Sequence, residues 1–564
     1  MRGYRSRLLT GICVAAVTTA GLSSAALAAA GDIYGGGAAV PAPDFRVKAD
    51  CYALPTALII KGTPPTFRTL PPFNYVNGAK SQDCSTTHIL NDRTAYYISA
   101  TSGTGILAQY SHDPKKYGFV DQAQTQYFPT IHFALSETPL SATDVGIWDN
   151  GGTETQGSSS VVVVAPGGTP LAGQYVNPLE HYGQVTQFPV SVDPLVISYD
   201  STYKKVLNND NSITSYHFHI KFTRTDGSGG LHLDPTTYCK IFNGQITNWN
   251  DPALKKLNGN LSLEDPADPT PAAQWSVPLQ IVGRGDSAGA TLIFTRHLAA
   301  VCPSRITGNQ YADGASTLPN SLLGPTYNVS NPNYPPVAGE TPGKFTLVAG
   351  MPGTAQYTAF TATPGGSNPN TIILGRVTYL SPDYALPGVL VSGDNTYNLN
   401  TATLQNQAGK WIVPSAFAAG ASFGSLAPPQ SDSKGHYDAS NTANGLRVNP
   451  QDWVQPSSKT SVLANPAGLQ SYPIVGTANW IGYTCYASSK QVQTILGILK
   501  YGNAALINTD RTKGILSSIG IAPMPGPWLT AMEETFVTNV SGVGININTK
   551  GKAGPCAASG ITGG

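Results

Sequence analysis

Leu279-Gln-Ile-Val282 is a short apolar run that breaks at Gly283-Arg-Gly-Asp-Ser-Ala-Gly289. The chain then resumes with Leu292, Ile293, Phe294 and Leu298 on one helical face. A strand that turns through small residues straight into a helix is the junction from which α/β layers are built. The first N–H groups of a helix are unpaired and carry the positive end of its dipole. With Arg284 beside them they can hold an oxyanion. Asp286 can either cap the helix or hold the Arg284 guanidinium in place. The same residues also fit an ordinary strand-to-helix turn with a capping Asp and a surface Arg. On this segment alone, that plainer reading is the simpler one.

The rest of the chain repeats the α/β alternation. Strands are predicted at 160–165, 195–199, 279–282 and 371–374, and helices at 288–301 and 490–501. The last helix has Val492, Ile495, Leu496 and Leu499 at 3.6-residue spacing. The stretches 226–230, 303–341 and 431–445 are rich in Asn, Gly, Pro and Ser and read as inserted surface loops. Neither an internal repeat nor a heptad pattern is evident.

The first thirty residues have the layout of a secretory signal. Arg2, Arg5 and Arg7 precede an apolar stretch, and 25–30 offers small-residue cleavage sites. No other segment is long and apolar enough to suggest membrane insertion. The formal net charge is +1, with only 12% charged residues. Loss of the leader arginines would make it slightly negative, so no basic field exists for nucleic acid. Of seven cysteines, Cys13 lies in the leader. The remaining six, in an exported chain without C-x-x-C spacing, point to disulfides and away from zinc. Their connectivity is open, with pairing of sequence neighbours the expected arrangement: Cys51–Cys84, Cys239–Cys302 and Cys485–Cys556.

Several segments, in order, resemble the phosphate-binding proteins of ABC transporters and their DING-like branch. Gly31-Asp-Ile-Tyr-Gly-Gly-Gly-Ala38 is similar to the start that names the DING group, with Tyr34 in place of Asn. Ser99-Ala-Thr-Ser-Gly-Thr-Gly105 resembles the second anion loop, and Ile131-His-Phe-Ala-Leu-Ser-Glu-Thr-Pro-Leu-Ser141 the loop with an acidic ligand-facing residue. Cys239-Lys-Ile-Phe-Asn-Gly-Gln-Ile-Thr-Asn-Trp-Asn-Asp251 is the most specific match. Arg376-Val-Thr-Tyr-Leu-Ser-Pro-Asp-Tyr384, Asn449-Pro-Gln-Asp-Trp453 and Tyr472-Pro-Ile-Val475 complete the set, and the 284–291 turn resembles the family's Arg-x-Asp-x-Ser-Gly-Thr turn.

The resemblance implies an α/β, two-lobed, class II periplasmic-binding-protein fold with two hinge strands and several loop insertions. The expected layout is a signal peptide at 1–30, a first part of lobe 1 at 31–190, lobe 2 at 191–385 and a return to lobe 1 at 386–564. The crossings are expected near 188–196 and 379–387. It also implies the disulfides Cys239–Cys302 and Cys485–Cys556, which leaves Cys51 with Cys84. By the same resemblance the ligand is inorganic phosphate or a related oxyanion, and a membrane component of an ABC transporter is the implied partner. No cofactor or metal is expected. The protein would be periplasmic or secreted.

Carried over residue by residue, Arg284 matches the family's arginine, Ser102 a hydroxyl donor, and Val40 and Gly289 backbone donors. Glu137 falls where the family usually has Asp. Such a carboxylate accepts a hydrogen bond only from a protonated oxyanion and so selects against sulfate. Asp286 and Ser287 lie in the same turn. Ala39, Ala288 and Ala290 stand where the family has hydroxyl residues; their N–H groups remain, while the side-chain donors are lost. Ser287 and Thr291 can partly substitute.

These departures leave alternatives. The site can take phosphate more weakly or a larger phosphorylated molecule. Alternatively, the fold can serve a secreted interaction or structural protein whose anion site has degenerated. A DING-like phosphatase is the less favoured class, because no Gly-x-Ser-x-Gly elbow with triad partners appears and no His is placed to activate Ser287. His217, His219, His232 and Asp234 suggest a metal cluster only weakly, for want of a third ligand at fixed spacing. Arg284-Gly285-Asp286 and the Asn260 sequon read as chance.

Overall fold

Leu195 alone separates two strands that belong to different sheets, and this one-residue junction is the pivot of the fold. A computed structural model describes residues 31–53, 90–117, 128–224, 229–327, 340–359, 363–366, 368–385, 397, 399–424, 426–507, 520–552 and 554–564. The leader lies outside the described residues, as does Cys84 and with it the Cys51–Cys84 pairing.

The first sheet has six strands. Ile33–Gly37 lies between two parallel neighbours, Ala95–Ser99 and Phe133–Ser136. Val475–Tyr483 follows antiparallel, then Val185–Pro194 and Ala522–Pro523. Its two long central strands are buried almost throughout, polar residues such as Gln187, Asp193 and Asn479 included. All nine residues of Val475–Tyr483 are buried. Trp480 stacks on Phe133 with ring centres 4.6 Å apart, and Phe188 on Phe536 at 4.4 Å.

The second sheet runs Leu231–Leu233, Asn400–Gln405, Val196–Tyr199, Arg376–Leu380, Gln280–Arg284, Phe345–Val348 and Leu323–Tyr327, with Trp411–Ile412 added beside Asn400–Gln405. Each sheet with its helices forms one lobe of an α/β, two-lobed fold. The first crossing falls at Leu195, whose N–H reaches Ile474 O at 2.9 Å.

Strand Asn400–Gln405 lies beyond the expected end of the second lobe at 385. It nevertheless pairs antiparallel with Val196–Tyr199, so the second sheet continues to 405. The chain next packs on the first sheet through the helix Ala416–Phe423, which lies against Val185–Pro194 and Ala522–Pro523. The physical reason is edge pairing: Val196–Tyr199 has Arg376–Leu380 on one side only, and Asn400–Gln405 satisfies the other.

The reading of 303–341 as surface loop needs correcting. Tyr311, Leu318 and Leu322 are buried, Tyr311 Oη donates to Phe242 O at 2.7 Å, and Leu323–Tyr327 joins the second sheet. These apolar anchors are interleaved among the polar residues that dominate the composition. Gly229 and Gly230, at the end of 226–230, are likewise buried and donate to Thr401 and Thr403. The stretch 431–445 is mostly exposed, as expected. Cys239–Cys302 and Cys485–Cys556 are bonded. The first ties the helix Pro235–Phe242 to the end of the helix Gly289–Val301, so it anchors the far end of the helix that starts at the glycine-containing turn.

In each sheet the parallel strands deliver their C-terminal ends to the space between the lobes, where ligands bind in open α/β sheets. Ala39 and Val40 follow the first strand, Thr101 and Ser102 the second, and Glu137 the third. From the other lobe come Arg284, at the end of Gln280–Arg284, and Gly350, after Phe345–Val348.

Candidate functional site

On the first lobe, Thr101 caps the helix Ser102–Ser111 by accepting the Thr104 N–H at 3.1 Å. This frees the next hydroxyl to face the cleft. Ser102 Oγ donates to Glu137 Oε2 at 2.9 Å and accepts the Glu137 N–H at 3.0 Å. Both residues are buried. Burial pushes the Glu137 carboxyl up to about 7; the Ser102 hydroxyl, the Arg284 charge and the Ala290 N–H all pull the other way. Its second oxygen, Oε1, is buried without a hydrogen-bond partner among the described residues.

On the second lobe, Arg284 is buried and forked onto Asp286. Its Nε donates to Oδ1 at 2.7 Å and a terminal nitrogen donates to Oδ2. The Gly350 N–H also reaches Asp286 Oδ1, at 3.1 Å. Burial alone would raise the Asp286 carboxyl, but Arg284 and Gly350 hold it below the usual carboxylate range. Of its two expected roles, Asp286 therefore takes that of holding the guanidinium. The helix Gly289–Val301 begins from Ala288 with no side-chain cap.

The two hydroxyls that flank the turn are engaged locally. Ser287 Oγ shares a hydrogen bond with Ser316 Oγ at 2.9 Å, and Thr291 Oγ1 shares one with Tyr379 Oη at 2.8 Å. The Ala288 N–H is taken by Ser316 O at 3.2 Å. Ser316, Gly350 and Tyr379 were missed as neighbours of the site. Ser316 lay in a stretch read as loop, and nothing local in the sequence marks Gly350.

The halves meet at Gly289. A Cβ there would lie 2.6 Å from both Cβ and Oε2 of Glu137 and would run into Ser102 Oγ, so only glycine permits this approach. The next N–H, of Ala290, lies in the same turn and favours the charged form of the Glu137 carboxyl. Ser102 and Glu137 of one lobe thus face Arg284, Gly289 and Ala290 of the other. Ala39 and Val40 are buried in the turn after Ile33–Gly37, on the same edge of the sheet. The hairpin Gly152–Gln156 and Ser159–Val163 also spans the cleft: at its tip Gly157, with φ +61°, abuts Ser287, and Gln156 lies over Gly103.

The remaining candidates are scattered. His217 Nδ1 lies 3.2 Å from Thr202 Oγ1, His232 stacks between Phe222 and Trp411, and Asp234 caps the helix Pro235–Phe242. Among the described residues no group of three or more His, Cys, Asp or Glu is arranged to hold a metal. His297 is engaged by Tyr238 Oη at 2.9 Å and by Ala464 O at 2.8 Å. In the Arg284-Gly285-Asp286 tripeptide the arginine is buried and forked onto the aspartate.

Comparison with known proteins agrees with this architecture. The sequence profile described as a PBP superfamily domain matches residues 96–415. The chain is 23% identical over 330 residues to "Alkaline phosphatase L" of Pseudomonas aeruginosa; the match covers 58% of this chain and 66% of that protein, just under two thirds of its length. It is 25% identical over 348 residues to a "Phosphate-binding protein" from an unknown prokaryotic organism, covering 59% of this chain and 74% of the relative. Among solved structures, the phosphate-bound periplasmic phosphate-binding protein PfluDING superposes with a TM-score of 0.50 at 19% identity, over 92% of this chain and 96% of that one.

Proposed function

The chain belongs to the PBP superfamily, and we propose that within it this protein captures phosphate, or a phosphate-like oxyanion, in the cleft between its lobes. The observation that carries the reading is the convergence of a buried arginine, a buried hydroxyl, a helix start and a buried carboxylate with one free oxygen. Arg284 supplies charge and direction, held by Asp286. Ser102 and the Gly289 and Ala290 N–H groups supply donors. Glu137 Oε1 offers the acceptor that a protonated oxyanion needs. Relatives bearing phosphate-binding names support the ligand class.

Binding rather than hydrolysis is the favoured activity. Ser287, Thr291 and His297 each spend their hydrogen-bonding groups on structural neighbours, so none of these three is set up as a nucleophile or its base. The relative named as a phosphatase makes turnover of a generic phosphate ester the necessary control. An exported location and hand-over to a membrane transporter component follow from the same reading. Among the described residues no helix is long and apolar enough to cross a membrane.

Calorimetry with phosphate, arsenate and sulfate tests the reading: one saturable oxyanion site is expected, and no heat with any of them would end it. The double variant Ala288→Ser, Ala290→Thr should bind phosphate roughly tenfold or more tighter, since each restored bond to a charged oxyanion contributes about 1.5–3 kcal/mol. Unchanged affinity would count against the assigned donors.

Sulfate should respond to pH. Below about 7 Glu137 carries a proton that it can donate to sulfate; above it the carboxylate repels the same ion. Sulfate affinity should therefore fall as pH rises through about 7, and a flat titration would remove Glu137 from the site.

A further inference from the structure

Two strands that pair to within two residues of each other close in a tight turn, and glycine at the first place of that turn is what such a hairpin calls for. Gly152–Gln156 and Ser159–Val163 are such a pair, in register from Gly152 with Val163 to Gln156 with Ser159. Gly157 opens the turn with a φ of +61°. The hairpin is anchored. Glu154, Val161 and Val163 are buried, and Gln174–Tyr175 adds a third strand beside Ser159–Val163. Gln156 is bent back so that Nε2 donates to Glu154 Oε1 at 2.8 Å.

The tip of this hairpin meets the start of both helices that bound the anion site. On the first lobe, a Cβ at Gly103, the second residue of the helix Ser102–Ser111, would lie 2.9 Å from Gln156 Cβ and 3.2 Å from Gln156 Oε1. On the second lobe, a Cβ at Gly157 would lie 3.0 Å from Ser287 Cβ, just ahead of the helix Gly289–Val301. One hairpin therefore bridges the two helix starts, and Ser102, Glu137, Arg284 and Ala290 are all buried.

We propose that the tip Gln156-Gly157 sets the ligand class of the cleft: it leaves room for a bare tetrahedral oxyanion and shuts out a phosphate monoester. The proposal rests on the phosphate reading and narrows it, against a larger phosphorylated ligand. A monoester offers the same kind of charged oxygens as phosphate and can carry the proton that Glu137 accepts, so neither Arg284 nor Glu137 tells the two apart. Size does. A substituent that passes between the helix starts has to push Gln156 off Gly103 or Gly157 off Ser287, and both contacts are already close. Selectivity of this kind comes from a clash with the wrong ligand and not from a better contact with the right one.

Calorimetry on the full chain with inorganic phosphate, methyl phosphate and glycerol 3-phosphate reads the filter. Wild type should bind phosphate and take both esters roughly a hundredfold more weakly or worse. Gln156→Gly removes the side chain over Gly103 and touches none of the assigned donors. It should keep phosphate affinity within about threefold, which also shows that it is folded, and bind both esters roughly tenfold or more tighter than wild type does. Gln156→Ala, which keeps Cβ, should fall between. The filter alone is lost if wild type binds phosphate and takes either ester within about tenfold of it. It is lost equally if Gln156→Gly excludes the esters as wild type does, or loses phosphate along with them. If no chain binds any of the three ligands, the phosphate reading itself has failed and the filter goes with it.

Discussion

Replacing Arg284 with alanine should remove saturable phosphate binding. The guanidinium is buried at the end of Gln280–Arg284 and is forked onto Asp286, so its position is set before any ligand arrives. Pre-setting matters because little side-chain entropy remains to be lost on binding. Two charge-assisted hydrogen bonds at about 1.5–3 kcal/mol each correspond to a loss of roughly a hundredfold to ten-thousandfold. The variant also leaves the Asp286 carboxylate without its cation beside the incoming anion, which adds repulsion. Equilibrium dialysis with labelled phosphate is the check. Retention of affinity within a few-fold would show that the arginine lies outside the binding site. Lysine at the same position should rescue only in part, since a point charge cannot make the fork.

The second large effect concerns stability. Breaking Cys239–Cys302 by a double serine substitution should cost about 4 kcal/mol. The two cysteines are 63 residues apart, and that is the loop-closure entropy the unfolded chain regains. Both lie in the second lobe, so urea unfolding followed by tryptophan fluorescence should show an earlier transition for that lobe, with Trp249 and Trp275 reporting. The bond fastens the C-terminal end of the helix Gly289–Val301, whose N-terminal end meets Glu137. Below the new transition the oxyanion affinity should be retained, which separates a structural role from a binding one. Coincident unfolding curves for both proteins would contradict the loop-entropy argument.

Much of the fold was legible because it is written in local patterns. The helix expected at 288–301 runs Gly289–Val301, and the one expected at 490–501 lies inside Ser489–Ile507. The strand expected at 371–374 is Thr371–Ile373. The insertion at 303–341 was misread because composition averages over a few buried anchors: Tyr311, Leu318 and Leu322 decide where the segment goes, while its Asn, Pro and Gly residues outnumber them. The pairing of Asn400–Gln405 with Val196–Tyr199 was not legible for a different reason. The residue that continues a sheet is chosen by a vacant strand edge, and no local sequence signal records that vacancy.

The sequence by itself determined that a strand ends at Arg284 in a turn of small residues with a helix beyond it, and that alanines replace the hydroxyls there. Residue type and spacing carry that much, because strand, turn and helix are set by neighbours along the chain. Only the tertiary structure decided where those groups are satisfied: Asp286 on Arg284, Ser316 on Ser287 and Ala288, and Tyr379 on Thr291, with Glu137 packed against Gly289. A hydrogen bond acts over about 3 Å, so partners far apart in sequence become neighbours only once the two lobes have folded and met at a glycine.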